Sequence, residues 1–213
     1  MADSATFLTK SELAGLRELD ADGRSLLDSH GTLSAALASR LGRGAASLFA
    51  EPVVTRGNGA VATSVSWYAS GVGEPVRLDT LDEGERAPLE AELRQRLAEV
   101  STLLGDPEIG PLLGGAFFVP SNDDIWVVDG RPTIANWGLA PEAALRSPAA
   151  RDEHVARTLG RFVSLGGAPA VGVEAWRDRY RATGGGVGTA AAAGAAGVAA
   201  GGVAGASAAA AEP

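Results

Sequence analysis

The side chains best suited to chemistry lie together in a short stretch of the second half of the chain. They are Asp123, Asp124, Asp129, Arg131 and Asn136, which surround two apolar runs and the turn between them. Neighbouring carboxylates suit acid–base chemistry, because burial or an adjacent charge shifts their pKa values toward neutral pH. Aspartate is also favoured in turns for local hydrogen bonding, which is the simpler interpretation.

The remaining residues restrict the available chemistry. The 213-residue chain contains no cysteine, and Lys10 is its only lysine. Cysteine nucleophiles, thiolate metal sites and interior lysine Schiff bases are therefore excluded. His30 and His154 stand far apart in two helical patterns, and isolated histidines do not predict a metal site. We accordingly predict no catalytic residue, no cofactor and no metal.

Two segments imitate ligand-binding loops, and both depart from the pattern. Glu18 and Asp20 resemble the start of a calcium loop, but Ser29 occupies the position of the closing glutamate. Gly57 and Gly59 resemble a dinucleotide-binding loop, but a strand pattern follows where a helix must begin. We interpret these segments as turns.

Two hairpins are the clearest strand prediction. Asn58-Gly59 and Asp129-Gly130 each separate two β-branched runs, and such pairs tolerate the positive φ that tight hairpin turns require. Pro132 lacks a backbone donor, so its strand is expected at a sheet edge or to begin late. The predicted strands are residues 53–55, 61–68, 125–128 and 133–137, with a short one at 75–78.

Amphipathic helices are expected to pack on these strands. The clearest stripe is Leu89, Leu93, Leu97, Val100 and Leu104. Predicted helices cover residues 24–49 and 88–104, and another begins at Ser147-Pro148. The fold class is therefore α+β, a small antiparallel sheet built from two hairpins packed with amphipathic helices.

Composition divides the chain into three parts. Residues 1–22 are expected to form an N-terminal lead, disordered at first and then helical over 11–19. Residues 23–181 are expected to form the globular domain, and residues 182–213 a Gly/Ala-rich tail. Within the tail, the uncharged stretch 184–211 holds 14 alanines and 9 glycines.

The tail admits three interpretations. Its low content of strongly apolar residues favours a flexible tail. Its length and the arginines before it also fit a membrane-associated helix of a cytoplasmic domain. Gly197, Gly201 and Gly205 form a glycine zipper, which lets two helices approach closely. A helix packed on a partner chain is the third interpretation.

Charge and the opening residues indicate location and partners. The chain has 26 acidic and 18 basic residues, for a formal net charge of −8. Such a chain repels phosphate backbones, so no nucleic-acid partner is expected. The opening residues lack the apolar segment of a secretory signal, which predicts a cytoplasmic protein, membrane-associated if the tail inserts.

The second hairpin carries two resemblances. Residues 127–141, Val-Val-Asp-Gly-Arg-Pro-Thr-Ile-Ala-Asn-Trp-Gly-Leu-Ala-Pro, resemble a motif of uncharacterised bacterial proteins. The resemblance implies a cytoplasmic domain followed by a membrane segment, and no activity. Residues 120–140 also resemble a protein kinase between its catalytic loop and its Asp-Phe-Gly motif. Asn136 replaces the metal-binding aspartate and the phosphate-holding lysine is missing, so an active kinase is excluded.

Three functional hypotheses follow. The first is a non-enzymatic accessory or scaffold protein, a protein-interaction domain tethered by its tail to a membrane or larger assembly. Its partner surface is predicted at residue types common in binding hot spots and at their neighbours: Trp126, Arg131, Trp137, Asn136 and Asp124. The second is a ligand-binding or catalytic domain that uses the Asp/Arg/Asn cluster. The third is a structural subunit that self-assembles through its tail or an edge strand.

Overall fold

A computed structural model of the chain describes residues 5–21, 23–57, 61–165 and 168–169. It has an α+β fold, as predicted. The predicted tail, its three glycines, the Asn58-Gly59 turn and residue 22 lie outside the described residues.

The strands are short, and the helices lie between them in the chain. The strands used below are β1 (Ala5–Glu12), β2 (Leu16–Glu18), β3 (Glu51–Arg56), β4 (Ala62–Ser70), β5 (Val76–Arg77), β6 (Ile125–Val128), β7 (Arg131–Ile134) and β8 (Leu139–Pro141). The helices are α1 (His30–Leu41), α2 (Arg43–Ala46), α3 (Glu83–Ser101), α4 (Gly110–Ala116) and α5 (Pro148–Arg157). Two-residue strands lie at Asp20–Ala21, Arg24–Ser25, Ser164–Leu165 and Ala168–Pro169, and 3-10 turns at Leu78–Thr80, Asn122–Asp124, Glu142–Leu145 and Leu159–Phe162.

Both predicted hairpins form, but each lies in a sheet of its own instead of in one shared sheet. In the first sheet the strand order is β1-β4-β3, and in the second it is β5-β6-β7, with all pairs antiparallel. Strand β8 pairs with β2 in a small third sheet. Pro132 lies in β7, an edge strand of its sheet, as its missing N–H required.

The N-terminal prediction is wrong in secondary structure. Residues 5–12 form the strand β1 instead of a disordered lead, and residues 16–18 form β2 instead of a helix. Strand β1 pairs with the central strand β4 from Ala5 opposite Ser70 to Glu12 opposite Ser64. The partner lies far along the chain, so pairing at this distance overrides the local pattern.

Two helices differ from their predicted bounds because of capping. Helix α3 begins at Glu83, where the Asp82 carboxylate accepts a hydrogen bond of 3.0 Å from the backbone N–H of Glu85. Pro88 therefore lies inside the helix on its exposed side, instead of in the first turn. The predicted helix 24–49 is confined to α1 and α2, because Gly42, at φ 91°, ends α1.

The two sheets meet around Trp137, which is fully buried. Its ring lies 5.9 Å from that of Trp67 on β4 and 5.9 Å from that of Phe49, which precedes β3. Its indole Nε1–H donates to the carbonyl of Ala50 over 2.8 Å. The backbone of Ile134 bonds on both sides to Leu48 and Ala50, at 2.8 and 2.9 Å. Aromatic packing and backbone bonds thus join the second hairpin to the first sheet.

Arg96 of α3 connects the helical layer to both sides of this junction. Its guanidinium donates to the carbonyls of Pro132 and Gly44 and to the Ser47 hydroxyl. The residue is only 9% exposed, and burial lowers the pKa of its guanidinium. A single buried side chain therefore holds α2 and β7 against α3.

Replacing Arg96 should destabilise the fold. We expect Arg96→Met to lower the free energy of unfolding by about 3 kcal/mol, because it leaves buried carbonyls without donors. Arg94→Met is the matched control, since Arg94 is exposed on the same helix and pairs with Glu90. Urea unfolding followed by circular dichroism measures both. Equal losses in the two variants would contradict the role of Arg96.

Candidate functional site

The structure separates the residues of the predicted chemical cluster. Asp124 and Asn136 face each other inside the protein, while Asp129 binds the loop after β4. Asp123 lines a cavity on one side of the second hairpin, and Arg131 lines a different cavity. The five side chains therefore do not form one reaction centre in this structure.

Asp124 and Asn136 form the centre of a buried hydrogen-bond network. The Asn136 amide donates to Asp124 Oδ1, and the backbone N–H of Ser121 donates to Asp124 Oδ2 over 2.8 Å. The Ser11 hydroxyl of β1 donates to Asn136 Oδ1 over 2.6 Å. Asn136 has a φ of 53°, a left-handed conformation that asparagine tolerates better than most residues. The network therefore joins β1 to the second hairpin.

Burial dominates the electrostatics of this carboxyl group. Asp124 is 8% exposed, and burial raises its pKa to about 6, against the opposing effect of the hydrogen bonds from Asn136 and Ser121. Both carboxylate oxygens already accept hydrogen bonds from protein donors. The group is a structural clamp, although its pKa alone would suit a general acid.

Asp129 organises a close approach between two loops. It lies in the hairpin turn at a φ of 50°, and its carboxylate accepts a hydrogen bond of 3.0 Å from the backbone N–H of Val72. A Cβ atom on Gly71 or Gly73 would collide with that carboxylate. The turn interpretation of this aspartate therefore fits its contacts.

The predicted partner surface is largely inside the protein. Trp137 is 0% exposed, and Asn136 and Asp124 are each 8% exposed. They pack the core or complete the buried network, which removes these three residues from the predicted surface. Trp126 is half-buried and Arg131 is exposed, so these two remain.

The cavity beside Asp123 has a balanced charge. It measures about 560 Å³, and its arginines gather around one carboxylate, that of Glu90. Arg94 lies 2.7 Å, Arg161 3.6 Å and Arg86 3.8 Å from Glu90, measured between charged atoms. Asp123 itself lies 3.3 Å from Arg77. The opposite charges pair with each other, so no unpaired charge selects a ligand here.

The two histidines lie in different surroundings. His154 is buried, its Nε2 lies 2.8 Å from the carbonyl of Val119, and its ring stacks on Phe118. His30 is half-buried on α1, and burial lowers its pKa. No group of three or more histidine, aspartate or glutamate side chains in the described ranges is placed to hold a metal ion. Within those ranges, too, no helix combines the length and apolarity needed to cross a bilayer.

A surface that sequence reasoning missed lies on the outer face of the first sheet. Phe7 and Val53 are each 50% exposed there, and the Phe7 ring meets the Tyr68 ring edge-on at 5.6 Å. Val61 and Val72, 68% and 77% exposed, lie just before and just after β4. The alternation of β1 was the available signal, and it was hidden by the expectation of a disordered lead.

Comparison with known proteins gives no relative: scans of protein-family models, curated proteins and solved structures found no match. The resemblances noted over residues 120–140 and 127–141 stay predictions.

The raised pKa of Asp124 predicts a specific pH dependence of stability. The folded pKa of about 6 exceeds the ordinary value of 3.8, so the folded state binds the proton more tightly than the unfolded state. The contribution of the Asp124 carboxyl to the free energy of unfolding therefore rises as pH falls from about 6 to about 4. Relative to Asp124→Asn, the wild-type protein should gain about 2 kcal/mol in unfolding free energy between pH 7 and pH 4.5.

Urea unfolding at the two pH values measures this difference. Asp123→Asn is the matched control, since Asp123 is the exposed neighbour; it should keep most of the wild-type dependence, because burial raises the pKa of Asp124 more than the Asp123 charge does. An unchanged pH dependence in Asp124→Asn would show that the Asp124 carboxyl titrates normally.

Proposed function

We propose that the chain is a protein-interaction domain of an accessory or scaffold protein, and that it binds an amphipathic helix of a partner on the outer face of the first sheet. The carrying observation is the concentration of exposed apolar side chains at this face. Phe7 and Val53 lie on it, with the Tyr68 ring against Phe7, and Val61 and Val72 lie beyond the two opposite ends of β4. Clustered exposed apolar residues mark interaction surfaces in soluble proteins, whereas scattered ones do not.

The sheet edges favour contact through the face. Strand β1 carries a bulge between Phe7 and Thr9 and the charged Lys10, while β3 carries Pro52 and a second irregularity before Arg56. Bulges, lysine and proline are the features that prevent strand addition at exposed edges. They argue for packing against the face and against self-assembly by edge pairing.

The dimensions of the face suit one helix. Three strands about 4.8 Å apart make a face roughly 14 Å wide, and a helix with its side chains is about 10–12 Å across. Lys10, Glu12 and Glu51 around it carry both signs of charge, so a helix with an apolar stripe and mixed charged flanks is complementary. In this proposal residues 182–213 tether the domain to a membrane or larger assembly.

Site-specific photocrosslinking tests the surface in the cells that make the protein. The full chain carries benzoylphenylalanine in place of Phe7, or in place of Ala91, which is exposed on α3. We expect a discrete covalent adduct only from position 7, and mass spectrometry should map it to an amphipathic helical segment of another protein. Val53→Glu should reduce the adduct at least tenfold, because it places a charge within the contact.

The matched control is Ala98→Glu, an equal change of charge at an exposed position of α3, which should leave the adduct unchanged. Adducts of equal yield at positions 7 and 91, or an adduct that joins two copies of this chain, would overturn the proposal.

A further inference from the structure

A second cavity, of about 610 Å³, is lined by Arg131 of the hairpin and not by Asp123. Its walls come from α1 and α2, from one end of the first sheet and from β7. Ser34 and Ala38 stand one turn apart on α1 and face the opening with short side chains, and Gly44 and Ala69 add little bulk. Small residues on three sides leave the cleft open.

Two arginines supply positive charge to this cleft. Arg43 opens α2 and Arg131 opens β7, and both side chains are exposed at the lining. Neither guanidinium has a hydrogen bond or ion pair with any residue in the part of the chain that the structure describes. Arg96 lies behind the same wall, where its hydrogen bonds go to neutral groups at Gly44, Ser47 and Pro132 and its charge lies 4.0 Å from Glu92. The wall therefore has a local excess of positive charge in an acidic chain.

Hydroxyl groups provide further donors. Ser34, Ser70 and Tyr68 line the cleft, and their hydroxyls have no hydrogen-bond partner among the described residues. Ser47 and Thr133 also line it, but their hydroxyls donate to the carbonyls of Gly44 and Ser47. Arginine forks with nearby hydroxyl donors match the several acceptor oxygens of a phosphate group.

The opposite rim supplies an acceptor. Glu51 lines the cleft beside His30, and burial lowers the pKa of the imidazole below its usual value, against the opposing effect of the Glu51 charge. A neutral His30 and a carboxylate accept hydrogen bonds from hydroxyl or amino groups. The cleft thus has a cationic wall for an anion and an acceptor rim for a polar body.

We propose that this cleft binds a small phosphate monoester, with its phosphate at Arg43 and Arg131 and its hydroxyl or amino groups toward Glu51. A cleft of about 610 Å³ has the size of a site for a nucleotide or sugar phosphate. The cavity beside Asp123 has similar volume, but its arginines are paired with Glu90. The two cavities therefore differ little in size, and the unpaired arginines make this cleft the proposed phosphate site.

The two histidines provide a direct measurement. The full chain, with labelled histidine, is titrated by NMR with adenosine monophosphate, ribose 5-phosphate and inorganic phosphate against sodium chloride at equal ionic strength. A phosphate bound at the arginines of the same cleft should raise the pKa of His30 and shift its imidazole signals saturably, since an anion in the cleft favours the charged ring. His154 is buried against Val119 and Phe118, so its imidazole signals should not shift and they serve as the internal reference.

Variants assign the response to the arginines. Arg43→Gln and Arg131→Gln should each weaken binding of adenosine monophosphate at least tenfold, and Arg146→Gln, at an exposed position outside the cleft, should not. Three results would overturn the proposal: chloride shifts His30 as much as the phosphates do, adenosine binds as tightly as its monophosphate, or both arginine variants bind like the wild type. Tighter binding of succinate than of any phosphate probe would overturn it as well.

Discussion

Burial of Trp137 is the constraint on which the rest of the structure depends. Its ring touches the aromatic side chains of the first sheet, and its indole N–H bonds to the backbone that enters β3. The residue lies three positions after the end of β7, so this packing fixes where the second hairpin lies. The side chain packs between the two sheets, and the buried residues of both form one core. A large aromatic with one polar atom serves this role well, since the polar atom finds a partner without breaking the apolar contact.

Local signals predicted the parts of the fold that local interactions determine. Asp129-Gly130 specified a hairpin, and the leucine stripe specified α3, because turn geometry and helical spacing are encoded in neighbouring residues. Strand β1 was missed because its partner β4 is distant in the chain. The start of α3 was also missed, although Asp82 and Glu85 are a recognisable capping pair and Pro88 was given too much weight.

The candidate sites show the same difference between what neighbouring residues determine and what distant residues determine. The polar residues at 123–136 were predicted from the sequence as one cluster, but their environments depend on elements far away in the chain, which separate them. Ser11 completes the network around Asn136, and α1, α2 and the sheet end make the cleft beside Arg131. The burial of Asp124, which raises its pKa to about 6, results from tertiary packing and could not be predicted from neighbouring residues. Residue types indicated which groups could matter, while packing determined which of them meet.

The position of Arg96 has a consequence for the shape of the arginine-lined cleft. Its guanidinium bonds to the backbone of Gly44, next to Arg43, and to the backbone of Pro132, next to Arg131. Both cationic walls are thus braced by the same rigid group on α3, and their separation is set during folding. A pre-organised site loses less backbone entropy when it captures its ligand, so a few contacts suffice for useful affinity. If the cleft binds a phosphate monoester as proposed, the brace would make it a rigid site, which discriminates by size as well as by charge.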